Sequence, residues 1–199
     1  MKLVVATHNQ GKIREFKAVF HALGIEVVGV GELVHVPEPE ETGTTFLENA
    51  RIKAQYYMNA TQLPCLADDS GLAVDALNGA PGVYSARYAG DDCDDDANNK
   101  KLIQELQSVP FEERVAHYVC ELVLAYPDGR ELTARGTCSG LIQDTPEGDG
   151  GFGYDPYFYV PSLKQTMAQI SMEEKNKISH RGRALEALVA QLSDGEFHE

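Results

Sequence analysis

The chain has few basic residues, no paired cysteine motif and no apolar stretch of membrane-spanning length, and each shortage excludes something. Seventeen Lys and Arg stand against 31 Asp and Glu, giving a formal net charge of −14. A broad basic face for nucleic acid is therefore excluded, and a large polyanion would be repelled. A small polyanion remains admissible where a metal ion and a few placed Lys or Arg reverse the local field. Cys65, Cys93, Cys120 and Cys138 include no CxxC pair and have no histidine at finger-like spacing, so they read as reduced thiols. Lys2 is followed by only four apolar residues before Thr7-His8-Asn9, which does not make a signal peptide. No apolar run reaches the length a bilayer requires. The expectation is a cytoplasmic protein with neither a membrane nor a nucleic-acid partner.

What is present is globular: 199 residues, 43% hydrophobic and 24% charged, enough for a single domain over 1–199 with a sizeable core, bilobed if the sheet extends. Strands and helices alternate at first. Leu3–Ala6 reads as a buried strand, Gly11–Leu23 as a helix with Ile13, Phe16, Phe20 and Leu23 on one stripe, and Ile25–Val30 as the next strand. After the Pro- and Glu-rich loop Val36–Thr44, Thr45-x-x-Glu48 matches a capping box, which makes Glu48 structural first. A third helix is expected from about Asp96 to Gln107. The acids before it, Asp91, Asp92, Asp94, Asp95 and Asp96, suit a helix cap better than a metal site. His117–Tyr126 and Arg130–Cys138 flank Pro127-Asp128-Gly129, a hairpin signal. A final helix, Ser179–Leu192, carries Leu185, Leu188, Val189 and Leu192 on one face. No repeat, low-complexity tract or linker divides the chain, so a second lobe would be an outgrowth of the same sheet.

Asp68-Asp69-Ser70-Gly71 closes the apolar run Leu63–Ala67 and reads as a buried strand ending in a turn. Carboxylates at a strand's end suit a hard cation or an activated water, and strand alternation predicts that one of the pair faces a given site. The same four residues also suit a turn whose Asp and Ser bond local backbone. Thr7-His8-Asn9-Gln10-Gly11-Lys12 joins a strand to a helix, a place where amides and a lysine can hold phosphate, although Walker spacing is absent. Glu40-Glu41-Thr42-Gly43 offers further acids for a hard metal, or a solvated loop. Gly150-Gly151-Phe152-Gly153-Tyr154-Asp155 lets backbone approach a ligand, with Phe152 available to stack on a planar base. Beyond Lys175, Ser179 can cap the last helix, while His180 and Arg181 can donate to the oxygen edge of a 6-oxopurine.

Taken in order along nearly the whole chain, these segments resemble the bacterial inosine/xanthosine triphosphate pyrophosphatase family. The match runs through Thr7-x-Asn9-x-Gly11-Lys12, Glu41-Thr42-Gly43, Phe46-x-Glu48-Asn49-Ala50, Ala67–Leu72, Gly79–Tyr88, Gly151–Asp155 and Ser179-His180-Arg181. One departure is His8, where the family often has Gly or Asn. The resemblance implies an α/β fold with a long mixed central sheet flanked by helices, two lobes and an active-site cleft between them. It also implies a Mg2+ requirement, a homodimer, and hydrolysis of ITP, dITP and XTP to the monophosphate and pyrophosphate. Transferred by position, Thr7, His8, Asn9, Gln10, Gly11, Lys12 and Lys175 would hold the triphosphate. Asp69 would be catalytic base and metal ligand, Glu41 ahead of Glu40 the second metal carboxylate, and Asp68 a support. Ser70 would touch substrate, Phe152, Gly153, Tyr154 and Asp155 would grip the nucleoside, and His180 and Arg181 would read the base. The rival reading is a non-catalytic nucleotide sensor, against which the intact set Glu41, Asp68 and Asp69 argues.

Overall fold

The computed structural model of the chain describes residues 1–194. Its elements, in chain order, are β1 (Lys2–Val5), α1 (Gln10–His21), β2 (Glu26–Gly29), α2 (Phe46–Thr61), β3 (Cys65–Val74) and α3 (Asp95–Glu105). There follow β4 (Val115–Ala125), β5 (Glu131–Ile142), β6 (Phe158–Val160), β7 (Gln165–Thr166), α4 (Met172–Ile178) and α5 (His180–Ser193). Seven strands form one mixed sheet in the order β2-β1-β3-β4-β5-β6-β7. β1 runs parallel to both β2 and β3, whereas β6 is antiparallel to β5 and β7. No helix among the described residues is long and apolar enough to cross a membrane.

The described chain divides into two compact units. The first comprises Met1–Asp69, Glu121–Arg135 and residues 184–194. Its Leu3, Val4 and Val5 are wholly buried, as expected of a parallel strand flanked on both sides. α1 turns Ile13, Phe16 and Phe20 inward; burying each aromatic contributes about 1.5–3 kcal/mol. Leu23 does not join that stripe as expected, because the helix ends at His21 and the chain turns through Gly24 at a φ of +68°. α2 begins with the expected capping box, Thr45 Oγ1 accepting from Glu48 N and Glu48 Oε2 accepting from Thr45 N. Its small residues Ala50 and Ala54 pack with Ala67, Val123 and Ala125. This alanine seam lets helix and strands approach closely, which brings Asn49 and Lys53 toward β3. The turn after β4 is tight, with Tyr126 N donating to Arg130 O at 2.9 Å.

The second unit comprises Ser70–Cys120 and Gly136–Arg183. β3 corrects the expected turn: the strand does not stop at Ser70-Gly71 but runs on to Val74. Leu72 and Val74 alternate inward and are fully buried, so core packing carries the backbone straight through a sequence that reads locally as a turn. Around them gather Leu102, Leu106, Tyr118, Ile142, Tyr154 and Phe158. α3 starts one residue before the expected Asp96, with Asp94 as N-cap accepting from Ala97 N at 3.1 Å. α4 was not expected. It has only seven residues, none buried, so no apolar period marks it, although Ser171 caps it through Glu174 N. Ser179 then caps α5 as anticipated, accepting from Gly182 N at 3.0 Å.

Candidate active site

In the first unit the loop after β1 is organised by Asn9. As N-cap of α1 its Oδ1 accepts from Gly11 N at 2.9 Å and Lys12 N at 3.1 Å, while Thr7 Oγ1 accepts from Asn9 N. Those two amides, expected to face phosphate, are therefore engaged by the cap side chain. The charge at this junction comes from the Lys12 ammonium, which is held 2.9 Å from Asp68 Oδ2. His8 is exposed, with Nε2 3.9 Å from Glu38 Oε1. Its ring lies over Gly31, where a Cβ would come within 3.0 Å of His8 Nδ1.

One residue along β3, Asp69 meets a second lysine. Lys53 Nζ lies 2.7 Å from Glu41 Oε1 and 3.9 Å from Asp69 Oδ1. Asp69 Oδ2 is buried and has no hydrogen-bond partner among the described residues. Burial is the main reason the Asp69 pKa is pushed up to about 6; the Glu41 and Asp68 charges add to the rise, and Lys53 and Asn49 oppose it. Burial works against a charged Lys53, yet the carboxylates of Asp68, Asp69 and Glu41 outweigh it and raise the Lys53 pKa. Strand alternation thus gives the two aspartates different lysine partners without isolating them electrostatically. Three carboxylates share two ammonium groups, and the under-bonded oxygen belongs to Asp69.

That donor set fits a hard dication. Mg2+ is commonly held by one or two carboxylates together with waters and phosphate oxygens, and Glu41 and Asp69 are two carboxylates already converging on one positive group. No cluster of three or more His, Cys, Asp or Glu able to hold a metal occurs among the described residues.

In the second unit the carboxylate at the centre is Asp155, buried and engaged on both oxygens. Tyr118 Oη donates to Oδ1 at 2.9 Å, and Oδ2 accepts from Phe152 N at 3.1 Å and Lys175 Nζ at 2.6 Å. Gly151, at a φ of +70°, is required here because a Cβ would run into the Asp155 carboxylate. Phe152 itself is 75% exposed, with Lys175 Nζ 5.1 Å from its ring centroid. Tyr154, by contrast, is buried, and its hydroxyl donates to Ser85 O at 2.6 Å. His180 stacks on Tyr118 at a centroid distance of 5.2 Å, and Tyr118 stacks in turn on Phe158. Arg181 is half-buried in the first turn of α5, and Ser70 is half-buried on β3.

The structure thus brings Lys12 to Asp68 and Glu41 to Asp69 in the first unit, and Phe152, Asp155 and Lys175 together in the second. Sequence reasoning missed three participants. Asn49 and Lys53 stand at i,i+4 on α2, the spacing that puts two polar side chains on one helix face; that spacing is the signal that points to them. Tyr118 was read only as a strand residue, and nothing local distinguishes it from other core aromatics.

A mixed α/β sheet thus carries a lysine at a strand-to-helix junction and, on β3, a buried carboxylate oxygen without a partner among the described residues. The sequence model of the Ham1 family matches residues 3–191, and the chain belongs to that family. A protein of Geobacter sulfurreducens named dITP/XTP pyrophosphatase is 52% identical over 96% of both chains. One of the same name from Desulforamulus reducens is 50% identical over 100% of this chain and 99% of its own. The solved Staphylococcus aureus Ham1 protein superposes with a TM-score of 0.92 at 47% identity, covering 97% of this chain and 98% of its own.

Proposed function

We propose that the chain hydrolyses non-standard purine nucleoside triphosphates, ITP, dITP and XTP, to the monophosphate and pyrophosphate. The observation that carries this reading is the buried Oδ2 of Asp69, without a hydrogen-bond partner among the described residues, beside Lys53 and Glu41. The names of relatives about half identical over the whole chain support the substrate class.

Glu41 and Asp69 would hold Mg2+, which when bound neutralises triphosphate oxygens and the pyrophosphate leaving group. Lys12 and Lys175 bind phosphate oxygens. Asp69 orients the attacking water toward the α-phosphorus and accepts its proton. A carboxylate whose pKa lies near 6 is a stronger base than an ordinary aspartate yet is still mostly ionised at neutral pH. Asp68 fixes the Lys12 ammonium. Phe152 stacks on the base, and His180 and Arg181 donate to its 6-oxo oxygen. Adenine presents an amino group there and leaves those donors unpaired. Guanine keeps the 6-oxo group, so its exclusion requires that the 2-amino group find no room or no acceptor. The family resemblance extends the proposal to a cytoplasmic protein and to a homodimer, the latter tested by sedimentation of the purified protein.

The decisive assay incubates the protein and Mg2+ with ITP, XTP, GTP and ATP and identifies the phosphate product. Pyrophosphate from ITP and XTP, with GTP and ATP far slower, is expected. Orthophosphate as the product, or equal turnover of GTP, overturns the reading; tight binding of ITP without any release identifies a sensor instead.

A further inference from the structure

The acidic run before α3 does more than cap a helix. Asp94 alone supplies the cap, which leaves the next residue for another partner. Asp95 Oδ2 accepts from Gly153 N at 2.9 Å, and one turn later Asn99 Nδ2 donates to Gly153 O, also at 2.9 Å. Residues four apart on a helix lie on the same face, so Asp95 and Asn99 grip one glycine from its two sides. Gly153 sits at a φ of +59°, in the left-handed region where a side chain is strained. Asn98, on the same face, anchors a different loop, with Nδ2 donating to Ala86 O and Oδ1 accepting from Ala89 N. Asn98, Asn99 and Leu102 are the buried residues of α3. Two of those three are amides bonded to loop backbone, which explains a helix with so little apolar surface.

We propose that Asp95 and Asn99 are positioning residues for purine binding, holding the Phe152-Gly153 backbone so that the exposed Phe152 ring is presented to the base in a fixed orientation. This rests on the reading of Phe152 as the stacking residue. With Asp155 on Phe152 N, Asp95 on Gly153 N and Asn99 on Gly153 O, three backbone groups around the ring are tied to side chains. A residue that is 75% exposed has little packing of its own to hold its ring, so the ring's orientation depends on that frame. A preorganised aromatic binds a base without first losing loop entropy.

The test compares Asp95→Ala, Asp95→Asn and Asn99→Ala with the unaltered protein in four measurements: KM and kcat for ITP, the Ki of inorganic tripolyphosphate, and amide hydrogen exchange at Gly153. Asp95→Ala should raise KM for ITP about tenfold, the scale of one lost charge-assisted hydrogen bond. It should leave kcat within about twofold, leave tripolyphosphate inhibition unmoved because that ligand has no base, and speed Gly153 exchange. Asp95→Asn retains an acceptor and should recover most of the affinity. Asn99→Ala provides the same readout should Asp95→Ala fail to fold. An unchanged KM in variants with faster Gly153 exchange overturns the inference alone, and so does a parallel loss of ITP and tripolyphosphate binding, which would mark a general structural role. An unaltered protein that releases no pyrophosphate from ITP overturns the function and the inference together.

Discussion

Asp69 and Asp155 are both withdrawn from solvent, and their surroundings differ in one decisive respect. Asp155 has both oxygens engaged by a tyrosine hydroxyl, a backbone amide and an ammonium group. Asp69 has a buried oxygen with no partner among the described residues, and the ammonium of Lys53 is 3.9 Å from its other oxygen. A buried carboxylate that is fully hydrogen-bonded fixes the structure around it, whereas one left short of donors favours a proton or a metal ion. Asp69 is therefore the carboxylate with bonding capacity left over, and Asp155 the one already committed to its neighbours. The same residue type serves opposite ends because its neighbours differ.

The largest expected effect breaks the comparison on the side of chemistry. Asp69→Asn removes the base and one metal ligand while preserving volume, and turnover of ITP should fall about 10²–10⁴-fold. Steady-state pyrophosphate release checks this, and near-normal activity would remove Asp69 from the mechanism. Asp155→Ala should act on stability instead. It leaves Lys175, whose side chain is only 16% exposed, without that partner, and removing one member of such a pair costs about 3–5 kcal/mol. A urea midpoint close to that of the unaltered protein would contradict the structural role. Phe152→Ala should fall between these in kind. Loss of one stacked base is worth about 1–3 kcal/mol, so KM for ITP should rise while the urea midpoint stays put, since the ring packs against little.

Much of the fold was legible because its signals are local. Thr45 and Glu48 stand three residues apart, Asn9 and Asp94 each cap a helix within three residues, and Pro127-Asp128-Gly129 forms its turn unaided. The illegible parts depend on residues far apart in the chain. β3 runs through Ser70-Gly71 because Leu72 and Val74 reach a core assembled from other segments. Lys53 acquires its meaning from Asp69 only once an alanine seam packs α2 on β3. Asp95 is 58 residues from the glycine it holds. The carboxylate station could be suspected from Asp68-Asp69, but which of the two lacks donors is a property of the packed structure.

The smallest effect is the most direct test of the comparison, because it asks whether Asp69 is held in the fold at a cost. Burial raises its pKa from the ordinary 3.8 to about 6, so the metal-free fold binds that proton more tightly than the unfolded chain does. The stability linked to this proton is fully present below pH 3.8 and is lost as pH rises through about 6. A shift from 3.8 to about 6 is roughly two units, a ceiling of about 3 kcal/mol at 1.36 kcal/mol per unit. Asp69→Asn has no such proton to lose. In EDTA the variant should therefore be more stable than the unaltered protein by about 1–2 kcal/mol at pH 8, once partial solvent access is allowed for, and the gap should close toward pH 4. Added Mg2+ should narrow the gap at pH 8 by stabilising only the protein that retains the carboxylate. Urea titrations across that pH range decide the matter: a variant less stable at every pH would mean that Asp69, like Asp155, is a structural carboxylate, and the distinction between the two carboxylates would disappear.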